Sequence, residues 1–164
     1  MKFAHINIIA KDWRSLSTFY QEVFGCVPVP PQRDLQGAWI DSLTAIKAAH
    51  IQGEHLRLPG YGNDGPTLEI FSYNEYKVNN EKMLDKSGFS HIAFEIEDIK
   101  LTLNKLLAKG GSQIGELIKR EYPGVGIADL VYCRDIEGNI IELQTWNKET
   151  IINSQAGKYK DEHS

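Results

Sequence analysis

An internal duplication constrains the fold of this chain more than any other feature of its sequence. The pattern Phe-x-His-Ile occurs twice, around His5 and around His91, and in each copy an aspartate, Asp12 or Asp98, follows the histidine by seven residues. In both copies apolar side chains alternate with the positions that carry the histidine, which is the period of a β-strand with one apolar face. We therefore expect two modules that begin with the same strand, with both histidines pointing away from the apolar face.

The segment that follows each aspartate has the spacing of an amphipathic helix. A carboxylate in this position accepts hydrogen bonds from the first backbone N–H groups of a helix, so Asp12 and Asp98 are expected to be N-caps. Gly25 in the first copy and Gly110 with Gly111 in the second are expected to end the helices. The apolar stripes are Leu16, Phe19, Tyr20, Val23 and Phe24 in the first copy and Ile99, Leu103, Leu106 and Leu107 in the second.

The remaining segments predict further strands in each copy. Residues 27–31 contain three prolines and cannot form a central strand, because proline donates no hydrogen bond to a ladder. Glycine and proline make residues 59–66 and 122–126 loops. The strands expected in the first copy are residues 38–40, 47–58 and 67–71, and those in the second copy are residues 112–114, 130–134 and 140–146.

These segments predict an α+β fold of two tandem βαβββ modules, which form a curved mixed sheet as two half-barrels around a cavity. The two modules together are expected to form one domain. The expected divisions are a first module at residues 1–76, a linker at 77–87 with a short helix around 79–84, a second module at 88–147 and a C-terminal tail at 148–164.

Composition narrows the classes of partner and the compartment. The chain has 164 residues and a net charge of -4, which gives no reason to expect binding to nucleic acid or to an anionic membrane surface. No apolar run approaches the roughly 20 residues of a membrane span, and the start lacks the pattern of a signal peptide, so a cytoplasmic protein is expected. Cys26 and Cys133 are expected to be reduced packing residues.

The last strand of each module carries one glutamate that the strand period separates from its apolar neighbours. Glu69 lies on the face opposite Leu68 and Ile70, and Glu142 lies opposite its own apolar neighbours in the same way. Each module therefore offers one histidine on its first strand and one glutamate on its last. The four residues are predicted to line the cavity.

Two carboxylates in a cavity are costly unless a cation compensates both of them. Two neutral imidazoles and two carboxylates form a suitable donor set for one divalent metal ion of the Zn, Ni, Co, Mn or Fe class, with open positions for water or substrate oxygens. The predicted ligands are His5, Glu69, His91 and Glu142.

At these positions the sequence resembles the vicinal-oxygen-chelate superfamily. The resemblance is carried by the two βαβββ modules, by the helix end at residues 18–25, by Gly-Phe-Ser-His-Ile-Ala-Phe at residues 88–94 and by Arg-Asp-Ile-Glu-Gly-Asn-Ile-Ile-Glu-Leu at residues 134–143. It covers about residues 2–146. The superfamily includes glyoxalase I, methylmalonyl-CoA epimerase, extradiol dioxygenases and the bleomycin- and fosfomycin-resistance proteins, so the resemblance is specific for fold and much less so for substrate.

The resemblance also implies roles for the four predicted ligands, which fall on the four ligand positions of the family. The glutamate at the second ligand position, Glu69, resembles the residue that glyoxalase I has there, whereas epimerases more usually have glutamine at this position. The implied reaction is proton transfer next to a carbonyl group through a metal-stabilised enediolate, with Glu142 or Glu69 as the base. The implied substrate is a thioester or a hemithioacetal.

Two other functions are alternatives to this enzyme. A bleomycin-resistance type of protein binds a small molecule without turnover and generally lacks the metal set, and extradiol dioxygenases use two histidines and one carboxylate for iron.

His50 and His55 are left out of the metal set, because a spacing of five places them on opposite faces of a strand. Exposed strand edges favour a homodimer. Candidate substrate contacts are Asn7, Trp39, Phe71, Tyr73, Arg134 and Gln144.

Overall fold

Two four-stranded sheets organise the chain, one in each of two units, Met1–Glu81 and Lys82–Ser164. The computed structural model describes residues 1–75, 77 and 82–147. The tail expected at residues 148–164 lies outside the described residues, as do residues 79–81 of the short helix expected around residues 79–84, and residues 82–84 are not helical. None of the helices in the described residues has the length and apolar character needed to cross a membrane.

The first unit is a mixed sheet with strand order β1-β4-β3-β2. The strands β1 and β4 are parallel, and the other two pairs are antiparallel. Since a parallel pair needs a long connection, the first and last strands of the unit lie side by side while the chain between them builds the rest of the sheet. The elements are β1 (His5–Ile9), α1 (Trp13–Phe24), β2 (Val27–Gln36), α2 (Ala38–Thr44), β3 (His50–Arg57) and β4 (Thr67–Tyr73).

Helix α1 forms as the sequence predicts and covers one face of this sheet. The Asp12 carboxylate accepts hydrogen bonds from the backbone N–H groups of Arg14 and Ser15, at 3.1 and 3.2 Å. Gly25 ends the helix with a φ of 70°, in the left-handed region that favours glycine. The buried side chains of α1 pack above β3 and β4, where each fully buried large apolar side chain contributes about 1.5–3 kcal/mol. The helix buries Trp13, Leu16, Ser17, Phe19, Tyr20 and Val23.

The strand expected at residues 38–40 is wrong, because this segment begins helix α2. Three apolar residues in a row do not distinguish a strand from a helix. Gly37, with a φ of 99°, turns the chain into α2, and the carboxylate of Asp41 accepts hydrogen bonds from the N–H groups of Ala48 and Ala49, each at 2.9 Å. These contacts fold the loop after α2 back onto the helix. Ile40 then packs with Ala49 and Ile51, and with the half-buried Leu35, Phe71 and Tyr73.

The proline-rich segment forms β2, at the edge of the first sheet. This position agrees with the prediction that residues 27–31 cannot form a central strand. The pairing of β2 with β3 shifts register between Val29 and Arg33, around the two prolines that follow Val29. An edge strand tolerates proline because only one of its sides is paired.

The second unit repeats the arrangement of the first, with strand order β5-β8-β7-β6 and a parallel β5–β8 pair. Asp98 caps its helix by accepting a hydrogen bond from the backbone N–H of Leu101 at 2.9 Å. Strand β6 is much longer than the three residues expected, because it continues past a register shift between Ile114 and Ile118 and pairs with the whole of β7. The elements are β5 (His91–Glu95), α3 (Ile99–Ala108), β6 (Ser112–Tyr122), β7 (Gly126–Arg134) and β8 (Ile140–Asn147).

The α+β fold class is confirmed, since the described residues form two open, mixed, four-stranded sheets and three helices, arranged as two modules with the same strand order. In the part of the second module that the structure describes, no helix corresponds to α2. The cysteines are free and buried, as expected. Burial raises the pKa of the Cys26 thiol to about 12 and that of Cys133 to about 11, so both remain protonated packing residues.

Candidate metal centre

The first predicted pair of ligands meets at the boundary of β1 and β4. The two strands pair with Asn7 opposite Glu69 and with His5 two residues before Asn7 on the same face. The Nε2 atom of His5 lies 3.4 Å from Oε2 of Glu69. The Glu69 side chain is 12% exposed and that of His5 is 47% exposed, so the carboxylate is largely withdrawn from water while the imidazole remains accessible.

His55, which the sequence analysis left out of the site, also contacts Glu69. It lies directly opposite Glu69 in the β3–β4 pair, and its Nε2 is 3.0 Å from Oε1 of the Glu69 carboxylate. The rings of His5 and His55 are 6.1 Å apart between centroids, with Glu69 in contact with both. His50 lies apart from this group, with its Nε2 2.6 Å from Oδ1 of Asp34.

A signal for His55 was present in the sequence. His55 and Glu69 are equally far from Gly62 in the predicted loop at residues 59–66, since 62 - 55 = 7 and 69 - 62 = 7. An antiparallel hairpin centred near that glycine places the two residues opposite each other, and residues opposite each other share a face. The spacing of five separates His55 from His50, but the register of the hairpin places His55 beside Glu69.

The environment of His55 favours its neutral form. Burial lowers the pKa of His55, the Glu69 carboxylate acts in the opposite direction, and the charges of Arg33 and His5 lower the pKa further. A neutral imidazole is the form that binds a metal or that both donates and accepts one hydrogen bond. The second ring nitrogen, Nδ1, lies 3.3 Å from Oγ1 of Thr67.

The other candidates on the first sheet have different surroundings. Asn7 donates from Nδ2 to Oε2 of Glu69 at 3.3 Å, so it contacts the carboxylate. Phe71 and Tyr73 lie on the same face of β4 as Glu69 and pack against the apolar cluster beneath α2. Trp39, on α2 rather than on a strand, is 57% exposed.

The second predicted pair of ligands repeats the first. His91 on β5 and Glu142 on β8 lie on adjacent parallel strands, with Nε2 of His91 3.3 Å from Oε2 of Glu142. Their side chains are 30% and 18% exposed. Tyr132 on β7 lies opposite Glu142, as His55 lies opposite Glu69, and its ring packs edge-on against His91 with the centroids 5.2 Å apart. Burial, then the Glu142 charge, then Tyr122 raise the pKa of the Tyr132 hydroxyl.

Two further candidates on the second sheet make local contacts. Arg134 donates from Nη1 to the backbone oxygens of Lys82 and Gly138, at 2.8 and 3.0 Å, and so holds the β7–β8 turn. Gln144 lies on the same face as Glu142 and accepts a hydrogen bond from Nε1 of Trp146 at 2.9 Å.

The donor atoms of each pair have the spacing that a shared metal ion requires. Two ligand atoms bound at about 2.1 Å to one ion, at an angle between 90° and 109°, are roughly 3.0–3.4 Å apart. The His5–Glu69 and His91–Glu142 separations are 3.4 and 3.3 Å. Within the described residues no group of three His, Cys, Asp or Glu side chains forms a complete metal site, so the donors fit a metal as two pairs.

Comparisons with known proteins identify the family and the fold. The family model of the Glyoxalase/Bleomycin resistance protein/Dioxygenase superfamily matches residues 2–143. A glyoxalase family protein from Bacillus cereus is 18% identical, covers 89% of this chain and 93% of its own, and has a TM-score of 0.70. The fosfomycin resistance protein FosX from Listeria monocytogenes is 17% identical, with 92% and 97% covered and a TM-score of 0.60.

A point mutant of the same FosX, complexed with Mn(II) and 1S,2S-dihydroxypropylphosphonic acid, is 15% identical over 90% of this chain and 94% of its own, with a TM-score of 0.54. At these identities the solved structures show a shared fold alone. No curated protein matches the chain.

Proposed function

Because this chain belongs to the Glyoxalase/Bleomycin resistance protein/Dioxygenase superfamily, we propose that it is a metal-dependent lyase or isomerase of the glyoxalase I or methylmalonyl-CoA epimerase type, which moves a proton on a carbon next to a carbonyl group. The observation that carries the proposal is the His–Glu pair that recurs at nearly the same spacing in the two units. Both carboxylates are largely withdrawn from water, at 12% and 18% exposed, where a cation is needed to offset their desolvation.

The proposed cofactor is one divalent metal ion. Imidazole nitrogen and carboxylate oxygen suit Zn, Ni, Co, Mn or Fe. When bound, such an ion acts as a Lewis acid and stabilises negative charge on the oxygens of the substrate. The Mn(II) bound to the FosX mutant supports a divalent metal in a protein of this fold. The residues proposed to hold the ion are His5, Glu69, His91 and Glu142.

Glu142 is the proposed proton acceptor, because it is held less firmly than Glu69. The Glu69 carboxylate contacts three side chains, those of His5, Asn7 and His55. In the described part of the chain the Glu142 carboxylate is paired with His91. A carboxylate that stays tightly coordinated is a poor base, so the group with fewer restraints is better suited to take a proton and return it.

The proposed substrate is a small thioester or hemithioacetal. Phe71 and Tyr73 continue the face of β4 that carries Glu69, and Gln144 continues the face of β8 that carries Glu142. These side chains offer an apolar surface and one amide beside the carboxylates, which suits a mostly apolar substrate with one polar end. Trp39 and Arg134 remain candidates for contacts with the more distant parts of the substrate.

Metal analysis and solvent exchange test the proposal directly. The purified protein is expected to contain one divalent metal ion per chain and to exchange the hydrogen next to the carbonyl of a thioester or hemithioacetal with deuterium from solvent. Glu142→Gln keeps the shape of the side chain but removes its basicity, and the exchange rate is expected to fall by about 10²–10⁴-fold. Glu116→Gln, on an exposed position of β6, is the matched control and should exchange at the wild-type rate.

Three results would contradict the proposal in different ways. Wild-type protein with no bound metal and no exchange leaves the non-catalytic binding protein as the better function. Metal without exchange on either substrate class excludes the proton-transfer reaction, and undiminished exchange in Glu142→Gln removes Glu142 from the role of base.

A further inference from the structure

We propose that His55 is a positioning residue of the metal site, whose Nε2–H holds one oxygen of the Glu69 carboxylate and leaves the other oxygen for the metal. The inference rests on the proposed function, because it assumes that Glu69 is a metal ligand. It assigns a role to a strand, β3, that carries none of the four proposed ligands.

The Nε2 atom of His55 is close enough to the Glu69 carboxylate for a hydrogen bond. The distance from Nε2 to Oε1 is 3.0 Å, within the usual range for N–H···O. A neutral imidazole has one donor and one acceptor nitrogen, so donation from Nε2 leaves Nδ1 as an acceptor. The Thr67 hydroxyl, 3.3 Å from Nδ1, is the donor available to it. Thr67, His55 and Glu69 thus form a short chain of polar contacts that favours one tautomer and one orientation of the ring.

The backbone holds this chain of contacts in place. Glu69 and Thr67 lie two residues apart on the same face of β4, and His55 lies opposite Glu69 on β3. Because the strands are paired by ladder hydrogen bonds, the sheet fixes the positions of the two backbones, and the imidazole can leave Glu69 only by changing its rotamer. Outer groups that orient a metal ligand in this way typically change metal affinity by 10–100-fold when they are removed.

The two oxygens of Glu69 therefore have different surroundings. Oε1 faces His55, whereas Oε2 lies 3.4 Å from Nε2 of His5 and 3.3 Å from Nδ2 of Asn7. The 3.0 Å distance from Oε1 to His55 lies within the usual range for an N–H···O hydrogen bond, whereas the 3.4 Å distance from Oε2 to His5 is longer than that range. The structure thus separates the oxygen that is held from the oxygen that is available.

In the described part of the second unit, no histidine occupies the position that corresponds to His55. Its counterpart of His55 is Tyr132, which lies opposite Glu142 but packs its ring against His91. Side chains therefore contact both oxygens of Glu69. In the described residues, Glu142 is paired through Oε2 with His91. The contact with His55 explains why the Glu69 carboxylate is more restrained than the equivalent carboxylate of Glu142.

Metal affinity of His55 variants tests the inference. His55→Phe keeps a ring but removes the donor, and His55→Gln places an amide N–H within reach of Glu69. With Co(II) as the probe and a competing chelator to set the free concentration, His55→Phe is expected to bind about 10–100-fold more weakly than the wild type, and His55→Gln within about threefold of it. His50→Phe, on the opposite face of the same strand, is the control and should bind as the wild type does.

The Co(II) absorption spectrum separates positioning from direct ligation. The spectrum of His55→Gln is expected to keep the band positions and intensity of the wild type. If both His55 variants lose affinity equally and both spectra change, His55 is itself a ligand and the positioning role is overturned. If His55→Phe binds Co(II) as tightly as His50→Phe does, His55 has no role in the site.

The controls also separate failure of the inference from failure of the proposed function. Wild-type protein that does not bind Co(II) overturns both, whereas wild-type binding with unchanged affinity in His55→Phe overturns the inference alone. Circular dichroism and thermal melting check that each variant folds. If His55→Phe is unfolded, His55→Leu, which is smaller than the original ring, replaces it with the same expected loss of affinity.

Discussion

Gly53→Ala is predicted to damage both the stability of the first unit and its metal site, because a Cβ atom has no room between β3 and β4. An added Cβ would lie 2.1 Å from the backbone oxygen of Ile70, 2.5 Å from Cδ1 of Phe71 and 2.9 Å from Cα of Phe71. Carbon and oxygen atoms in close contact between strands are about 3.3 Å apart, so β4 must move by about 1 Å. Two of the three obstructing atoms are backbone, so the clash is not relieved by turning a side chain.

The magnitude follows from this displacement. Forcing extra volume into a packed region typically costs about 1–3 kcal/mol, and in a chain of this size about 2 kcal/mol lowers the Tm by roughly 4–8 °C. The same shift reaches the site, because Glu69 precedes Ile70 on β4 and His55 lies two residues beyond Gly53 on β3. A misplacement of about 1 Å at a reacting group reduces activity by about 10²-fold.

Gly62→Ala is the matched control for this substitution. Gly62 lies in the loop between β3 and β4, an added Cβ there meets nothing within 4 Å, and its φ is outside the left-handed region. Thermal melting followed by circular dichroism measures the stability of both variants, and solvent-deuterium exchange measures their activity. A Gly53→Ala protein with the Tm and the exchange rate of Gly62→Ala would refute the reasoning.

Two further substitutions test the packing around helix α1. The hydroxyl of Ser17, which is 1% exposed, donates a hydrogen bond to Oε1 of the buried Glu54. Ser17→Ala leaves this buried carboxylate without the donor and is expected to lower the free energy of unfolding, measured in urea, by about 2–3 kcal/mol. A loss within the error of the measurement would contradict the prediction. Asp12→Ala removes the N-cap and should cost about 1 kcal/mol at pH 7. Hydrogen bonds, first that from the Ser15 hydroxyl, lower the pKa of Asp12, so the stability from the cap is present above the ordinary pKa of 3.8 and is lost as the pH falls through the lower folded value. The difference in free energy of unfolding between Asp12→Ala and the wild type should therefore shrink in acid. A difference that does not change with pH would contradict the charge argument.

The parts of the fold that follow from local periodicity were predictable from the sequence. The alternation around His5 and His91 and the isolation of Glu69 and Glu142 depend only on which way successive side chains point along a strand, and the duplication provides a second copy of each pattern. Both pairs are indeed in contact within their units. The N-caps were predictable for the same reason, since capping is settled within three residues of Asp12 and Asp98.

The errors lie where distant residues decide the outcome. Residues 38–40 form a helix because Asp41 closes the following loop and because Ile40 packs against apolar residues of β2, β3 and β4. The sequence of residues 38–40 shows neither of these contacts. His55 was missed because its neighbour depends on the register of a hairpin, and a shift of one residue in register moves a side chain to the opposite face. The length of β6 likewise depends on its partner β7.

The prolines of β2 have a consequence for self-association. A free strand edge is a template on which another chain can add a strand, and this is the first step of many aggregates. At Pro28, Pro30 and Pro31 the edge has no N–H group to offer to an incoming strand, and the register shift beside them bends it away from a flat ladder. The prolines therefore disfavour strand addition at residues 28–31 of this edge. A homodimer formed by strand addition is expected to avoid residues 28–31 and to pair through another edge or through the second half of β2.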